Sequence, residues 1–221
     1  EMVWKKPVKR YPGGLAIYEE PKPRNQYIIT VDVSRGIGKD YSAFTVINVT
    51  DFPYKIAAKY QNNEISPMVF PNTIYETATH FNQAMVLVEV NDIGEQVGAI
   101  LYNDLEYEDL IMTEHGGRKG QRISSGFGGN VYYGVRMTSN VKKIGMANLK
   151  TMIESDKLLT HDVDIITELS TFVQKRNSYE AEEGYHDDLV MCLIIFGWVS
   201  NQEYFKELTN SDIRKKLEKE R

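Results

Sequence analysis

The sequence predicts an α/β fold in which helices flank a central mixed β-sheet. Three observations lead there. Three β-branched runs follow one another closely between residues 27 and 60, strand-like and helix-like segments then alternate, and an almost wholly apolar helix lies near the C-terminus. With 221 residues and 42% hydrophobic content, the chain suits one domain with its own core rather than a disordered polymer.

Each element has its own reason. Residues 1–26 carry Pro7, Pro12, Pro21 and Pro23 with Gly13 and Gly14, a composition that resists regular structure and reads as a linker or arm. Tyr27-Ile-Ile-Thr-Val-Asp-Val-Ser34, Ala43-Phe-Thr-Val-Ile-Asn-Val49 and Lys55-Ile-Ala-Ala-Lys-Tyr60 are strands whose short connections imply an antiparallel meander. After Pro71 the apolar spacing Ile74, Ala78, Phe81 predicts a helix, and Ala84-Met-Val-Leu-Val-Glu-Val90 a buried strand. A helix over residues 95–105, a short strand over 110–113 and a helix over 140–154 continue the alternation. Seven glycines at 116, 117, 120, 126, 128, 129 and 134 exclude a packed helix and favour a hairpin or mobile loop. A helix over 164–174, a break around 177–184, an apolar helix over 186–199 and a charged tail within 201–221 complete the chain.

The formal charge is −5, from 26 Lys+Arg against 31 Asp+Glu, and it is unevenly spread. Between His115 and Ile153 there is no acid, while Arg118, Lys119, Arg122, Arg136, Lys142, Lys143 and Lys150 supply seven positive charges; a total of −5 therefore leaves −12 for the remainder. The segment reads as an anion-binding strip or as a solvated basic face. Cys192 is the single cysteine, so neither an intramolecular disulfide nor a cysteine metal site is available. No apolar run reaches the roughly 18 residues of a membrane helix, so a soluble, intracellular protein without a membrane partner is expected. Glu1 is neither an initiator methionine nor the start of a signal peptide, which suggests a piece of a longer protein.

Acids occupy places where a core does not normally want them. Asp32 lies in an apolar strand, Glu89 near the end of another, and Asp187-Asp188 open the apolar helix. A buried carboxylate needs a partner, and a pair of divalent cations about 4 Å apart would serve four of them while activating water for phosphodiester hydrolysis. The plain alternatives are a turn-starting Asp32 and a helix-capping Asp187. Asp40 either supports such a site from behind or ends a turn, and His186 either moves a proton or is structural. Gly36-Ile-Gly-Lys39 follows a strand but departs from a phosphate loop, having Val33 where glycine is needed and Asp40 where Ser or Thr is needed. A Gly-x-Ser-x-Gly elbow is absent, which disfavours a serine hydrolase.

Val31-Asp-Val-Ser-Arg-Gly36 with Asp40-Tyr-Ser42, Val88-Glu-Val-Asn-Asp92 and His186-Asp-Asp-Leu189 resemble the C-terminal nuclease domain of the large terminase subunit of T-even-type tailed bacteriophages. The likeness extends through Thr50-Asp-Phe-Pro53, Glu64-Ile-Ser-Pro67 and Ser170-Thr-Phe-Val173. The resemblance implies a ribonuclease H-like fold over residues 27–200, with 1–26 as the arm from an N-terminal ATPase domain. It implies an endodeoxyribonuclease with a two-metal mechanism, using Mg²⁺ or Mn²⁺ held by Asp32, Glu89 and a third carboxylate from Asp187 or Asp188, the other of which caps the helix or serves the second metal; Asp40 matches a further acidic position of the family's first motif. It also implies cutting of concatemeric viral DNA with little sequence preference, in the host cytoplasm and transiently at the portal vertex of the prohead. Portal protein, small terminase subunit and ATPase domain would be partners. Double-stranded DNA would lie along Arg118, Lys119, Arg122, Arg136, Lys142 and Lys143, whose phosphate contacts carry no sequence information. The alternatives are a Holliday-junction resolvase-like nuclease, a non-catalytic DNA-binding or docking module, and an actin- or sugar-kinase-like ATPase. The last lacks a second glycine-rich phosphate turn.

Overall fold

A computed structural model describes residues 3–117, 120–124, 131–175, 178–207 and 209. Its elements, in chain order, are β1 (Lys9–Arg10), β2 (Leu15–Ile17), β3 (Tyr27–Asp32), β4 (Ser42–Asn48), β5 (Tyr54–Asn62), α1 (Phe70–His80), β6 (Met85–Val88), α2 (Gly94–Asn103), β7 (Thr113–His115), β8 (Gln121–Ile123), β9 (Val131–Tyr132), α3 (Ser139–Glu154), β10 (Leu158–Leu159), α4 (Val163–Thr171), β11 (Phe172–Lys175), β12 (Ser178–Ala181) and α5 (Asp188–Ser200). No described helix is long and apolar enough to cross a membrane.

The main sheet runs β1-β2-β5-β4-β3-β6, with β10 added alongside β5. β3, β4 and β5 form the expected antiparallel meander, while β6 joins β3 and β10 joins β5 in parallel, so the sheet is mixed. Side chains alternate between two apolar layers, as the period of two requires. Ile28, Ala43, Ile47 and Leu87 pack with Val141 and Leu149 of α3 and with Leu193 and Trp198 of α5. Ile29, Val31, Phe44, Val86 and Val88 pack on the other side with Ile74 and Ala78 of α1 and Val97 and Leu101 of α2. Both faces being covered, β4 is buried throughout, which is why its sequence is continuously apolar or small.

The structure revises several expected boundaries. Part of the proline-rich arm is an edge of the sheet: β2 pairs with β5, and β1 with β2. The strand expected over 110–113 is reduced to an isolated bridge between Leu110 and Val86, and pairing resumes in β7. The glycine-rich stretch contributes β8 and β9 on either side of β7, the described part of a small antiparallel sheet. The helix expected over 164–174 stops at Thr171, because β-branched Thr171 and Val173 and aromatic Phe172 favour an extended chain; β11 and β12 then pair as a hairpin where a break was expected. The apolar helix begins at Asp188, leaving His186 and Asp187 in the loop before it. The charged tail from residue 210 lies outside the described residues.

α5 is buried from Leu189 to Val199 apart from Met191, apolar all round, and wedged between the sheet and α3. That wedge depends on two glycines. A Cβ on Gly145 would strike the carbonyl of Ile194, and one on Gly197 the carbonyl of Gly145. Backbone cannot yield as a side-chain tip can, so either Gly→Ala substitution must push the helices apart. The expected cost is about 2–3 kcal/mol of unfolding free energy for Gly145→Ala or Gly197→Ala. Urea denaturation checks this against Gly13→Ala, where a Cβ meets nothing.

Candidate functional site

The parallel register of β3 and β6 sets Val31 opposite Val88, so the residues that follow, Asp32 and Glu89, emerge side by side. Both belong to the alternation of Ile28 and Leu87 and therefore face α5. They stand at the carboxyl ends of two parallel strands, where open α/β sheets form crevices. Close backbone approach completes the turn behind Glu89, since a Cβ on Gly94 would enter the Glu89 carbonyl. The third component comes from the loop and first turn of α5, which bring Asp187 and Asp188 to the same crevice.

Proximity of the acids shifts their ionisation. Packed in by protein yet keeping a solvent-facing edge, Asp32 has its carboxyl held well above the usual range, first by burial and then by the charges of Glu89, Asp188 and Asp187. Burial also raises Glu89, an effect eased by a hydrogen bond from the Asp32 carboxyl and by the Lys142 ammonium. Burial therefore disfavours the ionised form of both neighbouring carboxyls. Asp188 is pushed up to about 7 by burial, by Asp187 and by Asp40. Its Oδ2 is buried without a hydrogen-bond partner, with His186 Nδ1 3.7 Å away. His186 is itself half exposed and meets the Tyr41 ring edge-on at 4.9 Å. Asp40 is exposed, at the end of the loop from β3 to β4.

Asp187 takes the N-cap position of α5 but makes no capping bond; its Oδ2 accepts the N–H of Ala181 at 3.1 Å instead. The helix-capping alternative is thereby answered. Asp32 lies within a strand and starts no turn. An unpartnered buried carboxylate oxygen among mutually repelling acids suits a hard divalent cation with oxygen ligands. Among the described residues no group of three or more His, Cys, Asp or Glu is arranged so as to hold a metal ion, and Asp32 and Glu89 are bonded to each other.

Two features escaped the sequence reading. Glu168 is buried, and its Oε2 accepts the N–H groups of Leu189 and Val190 at 2.8 and 3.0 Å while Oε1 accepts from Gln61 at 3.0 Å. Burial raises its pKa to about 7 against the lowering effect of these donors. The available signal was its position three residues after Ile165, on the apolar face of α4. Arg35 and Asp92, each three residues beyond a site acid, form a 2.6 Å ion pair linking the two loops.

The basic residues are dispersed. Arg118 and Lys119 lie outside the described residues. Arg122 pairs with Glu114 at 2.6 Å, Arg136 lies over the Tyr132 ring at 4.9 Å, and Lys143 is exposed on α3. Lys142 is half-buried, donates to the Tyr179 carbonyl at 2.8 Å and, among the described basic residues, is the one whose charge reaches Glu89.

A family model described as the terminase RNaseH-like domain matches residues 29–211. The chain belongs to the terminase RNase H-like domain family. Solved structures with the same fold include the large terminase nuclease of the thermophilic phage G20c with bound magnesium, with a TM-score of 0.68 and 20% identity over 91% of this chain and 94% of that one. Thermus phage P74-26 large terminase nuclease domain gives 0.65 and 20% over 91% and 92%. A large terminase from another thermophilic bacteriophage, in complex with ADP, gives 0.51 and 12% over 82% of this chain but 40% of that longer one. The terminase RNase H-like domain described here thus has the mixed sheet and flanking helices of ribonuclease H-like folds.

A pH signature follows from Asp188. Its folded pKa, about 7, exceeds the ordinary 3.8, so the folded state holds a proton that the unfolded chain has released across that window. Stability of the metal-free domain should therefore fall as pH rises from about 4 to about 7, and Asp188→Asn should flatten part of that slope. Thermal melting in EDTA at several pH values measures it.

Proposed function

We propose that this domain is a divalent-metal-dependent endodeoxyribonuclease that cuts concatemeric viral DNA during genome packaging, with little sequence preference, and lends the motor a surface for gripping DNA. The observation that carries this reading is the convergence of Asp32, Glu89 and Asp188 on one crevice, with Asp188 Oδ2 buried and unpartnered. Membership of the terminase RNase H-like family agrees with it. Divalent metals in the G20c nuclease structures, namely magnesium, cobalt and zinc, support a site of that charge class here.

Asp32, Glu89, Asp187 and Asp188 would hold two Mg²⁺ or Mn²⁺ ions. When bound, such ions supply an activated water and neutralise the charge on the leaving oxygen. The chain's own part is to present deprotonated carboxylates. Burial holds Asp32, Glu89 and Asp188 above the usual carboxylate range in the metal-free domain, so metal binding, and cleavage at limiting metal, should strengthen as pH rises. His186 at the rim orients Asp188, and Asp40 adds negative charge behind it. Lys142 lowers the cost of ionising Glu89, and with Lys143, Arg136, Arg122, Arg118 and Lys119 it meets phosphates. Cutting both strands requires one site to act twice or two copies to cooperate.

The finer assignments belong to the same proposal. Membership of the T-even-type branch rests on Val31-Asp-Val-Ser-Arg-Gly36, Val88-Glu-Val-Asn-Asp92 and His186-Asp-Asp-Leu189. The nuclease unit comprises residues 27–200 together with the β1–β2 edge of its sheet, the connection to an ATPase domain lies ahead of Lys9, and 201–221 serves as a charged tail. The longer thermophilic-phage terminase, of which the match covers 40%, is in complex with ADP, in keeping with a motor domain elsewhere in such a chain. Portal protein and small terminase subunit complete the set of partners, at the prohead vertex in the host cytoplasm.

Conversion of supercoiled plasmid with Mg²⁺, Mn²⁺ or EDTA tests the reading. Nicking and linearisation should need the metal and vanish in Asp32→Asn, which should remain folded because repulsion among the acids falls. Intact DNA binding without cleavage would leave only a docking module, and preference for four-way junctions over linear duplex would favour a resolvase. In a second measurement, Lys142→Glu with Lys143→Glu should weaken binding to any DNA sequence and lower the slope of log affinity against log salt by about 0.9 for each phosphate that is no longer neutralised.

A further inference from the structure

We propose that Glu168 is the positioning residue of the crevice: it caps α5 from α4 and thereby releases Asp187 and Asp188 to face the other acids. This rests on the nuclease reading above. A helix start leaves backbone N–H groups without partners, and an aspartate at the N-cap normally turns back to accept one of them. α3 and α4 obey that rule, with Thr138 accepting from Val141 and Asp162 accepting from Ile165 at 2.8 Å. α5 does not. Its N-cap is Asp187, yet the N–H groups that Asp187 would take, those of Leu189 and Val190, are both held by Glu168 Oε2 at 2.8 and 3.0 Å.

The substitution has a geometric consequence. With its usual acceptor role filled, Asp187 bonds to Ala181 of β12 instead, and Asp188 keeps an unpartnered oxygen. Had Asp187 capped the helix, its carboxylate would be drawn along the helix axis and away from the strand ends. Glu168 is in turn fixed at both ends of its reach. Gln61 on β5 donates to Oε1 at 3.0 Å, Lys59 donates to Gln61 Oε1 at 3.3 Å, and the same ammonium bonds Asp164 of α4. This chain of bonds ties the first turn of α5 to the central meander through a side chain that is only 5% exposed. Groups that orient ligands in this way typically alter metal affinity about 10–100-fold when removed.

The test uses the 221-residue chain and Mn²⁺ as probe. Mn²⁺ affinity by calorimetry, kcat and KM for plasmid cleavage, and DNA affinity in EDTA are compared for wild type, Glu168→Ala, Glu168→Asp and Glu168→Gln. Glu168→Ala should weaken Mn²⁺ binding by about 10–100-fold and lower kcat, with KM for DNA and metal-free DNA affinity little changed. Glu168→Gln retains an oxygen for both N–H groups but turns an amide N–H toward the Gln61 donor, so it should recover part of the loss. Glu168→Asp keeps the charge but is one methylene too short, and should resemble Glu168→Ala; it decides the matter if the alanine variant does not fold. Wild-type Mn²⁺ affinity in folded Glu168→Ala or Glu168→Asp overturns the proposal alone. Absence of Mn²⁺ binding and cleavage in the wild-type chain overturns the nuclease reading, and this proposal with it.

Discussion

Two parallel strands in register deliver two acids to one point, and much of the molecule answers the repulsion that results. Val31 opposite Val88 makes Asp32 and Glu89 neighbours, with Asp188 and Asp187 close by. A fold governed by burial alone would place apolar side chains there, or satisfied ones such as Thr30 two residues earlier, whose hydroxyl bonds that of Thr45 at 3.0 Å in the closed interior. At the strand ends the interior opens, and charge becomes tolerable because solvent or a bound cation can reach it. The cluster costs stability in the absence of a counterion and has chemical value because of that cost.

The surrounding core is organised to hold the acids in place. α5 contributes nothing amphipathic: from Leu189 to Val199 it is interior apart from Met191, so its position is set by packing on all sides rather than by one stripe. Gly145 and Gly197 let α3 approach until backbones touch, which fixes the helix along its axis. Glu168 fixes its beginning. On the opposite sheet face, α1 and α2 seal the second layer and close the turn behind Glu89 through Gly94. Lys142 connects the β11–β12 hairpin with the crevice, bonded to the hairpin carbonyl of Tyr179 and acting electrostatically on Glu89.

Much of this was written in local sequence. β3, β4 and α3 announce themselves by strand or helix period, and Asp32, Glu89, Asp187 and Asp188 by being acids in apolar surroundings. Those signals are legible because period and burial leave their mark residue by residue. Less legible were β1 and β2, where prolines and glycines suggested an arm; pairing with β5 supplied hydrogen bonds that composition does not reveal. The C-terminal part of the predicted helix over 164–174 was lost to β11 because β12, further along the chain, offered a partner.

The sequence by itself determined the alternation of strands and helices, the unusual acids and the basic stretch, since each is a property of neighbouring residues. Only the tertiary structure decided which acids meet, because that depends on the register of β3 against β6 and on where α5 begins. It also decided which acid caps α5. Asp187 was the local candidate, and Glu168, nineteen positions earlier in the chain, holds the bonds. Capping is satisfied by whichever oxygen arrives with the right geometry, and arrival in space is not encoded by distance along the chain.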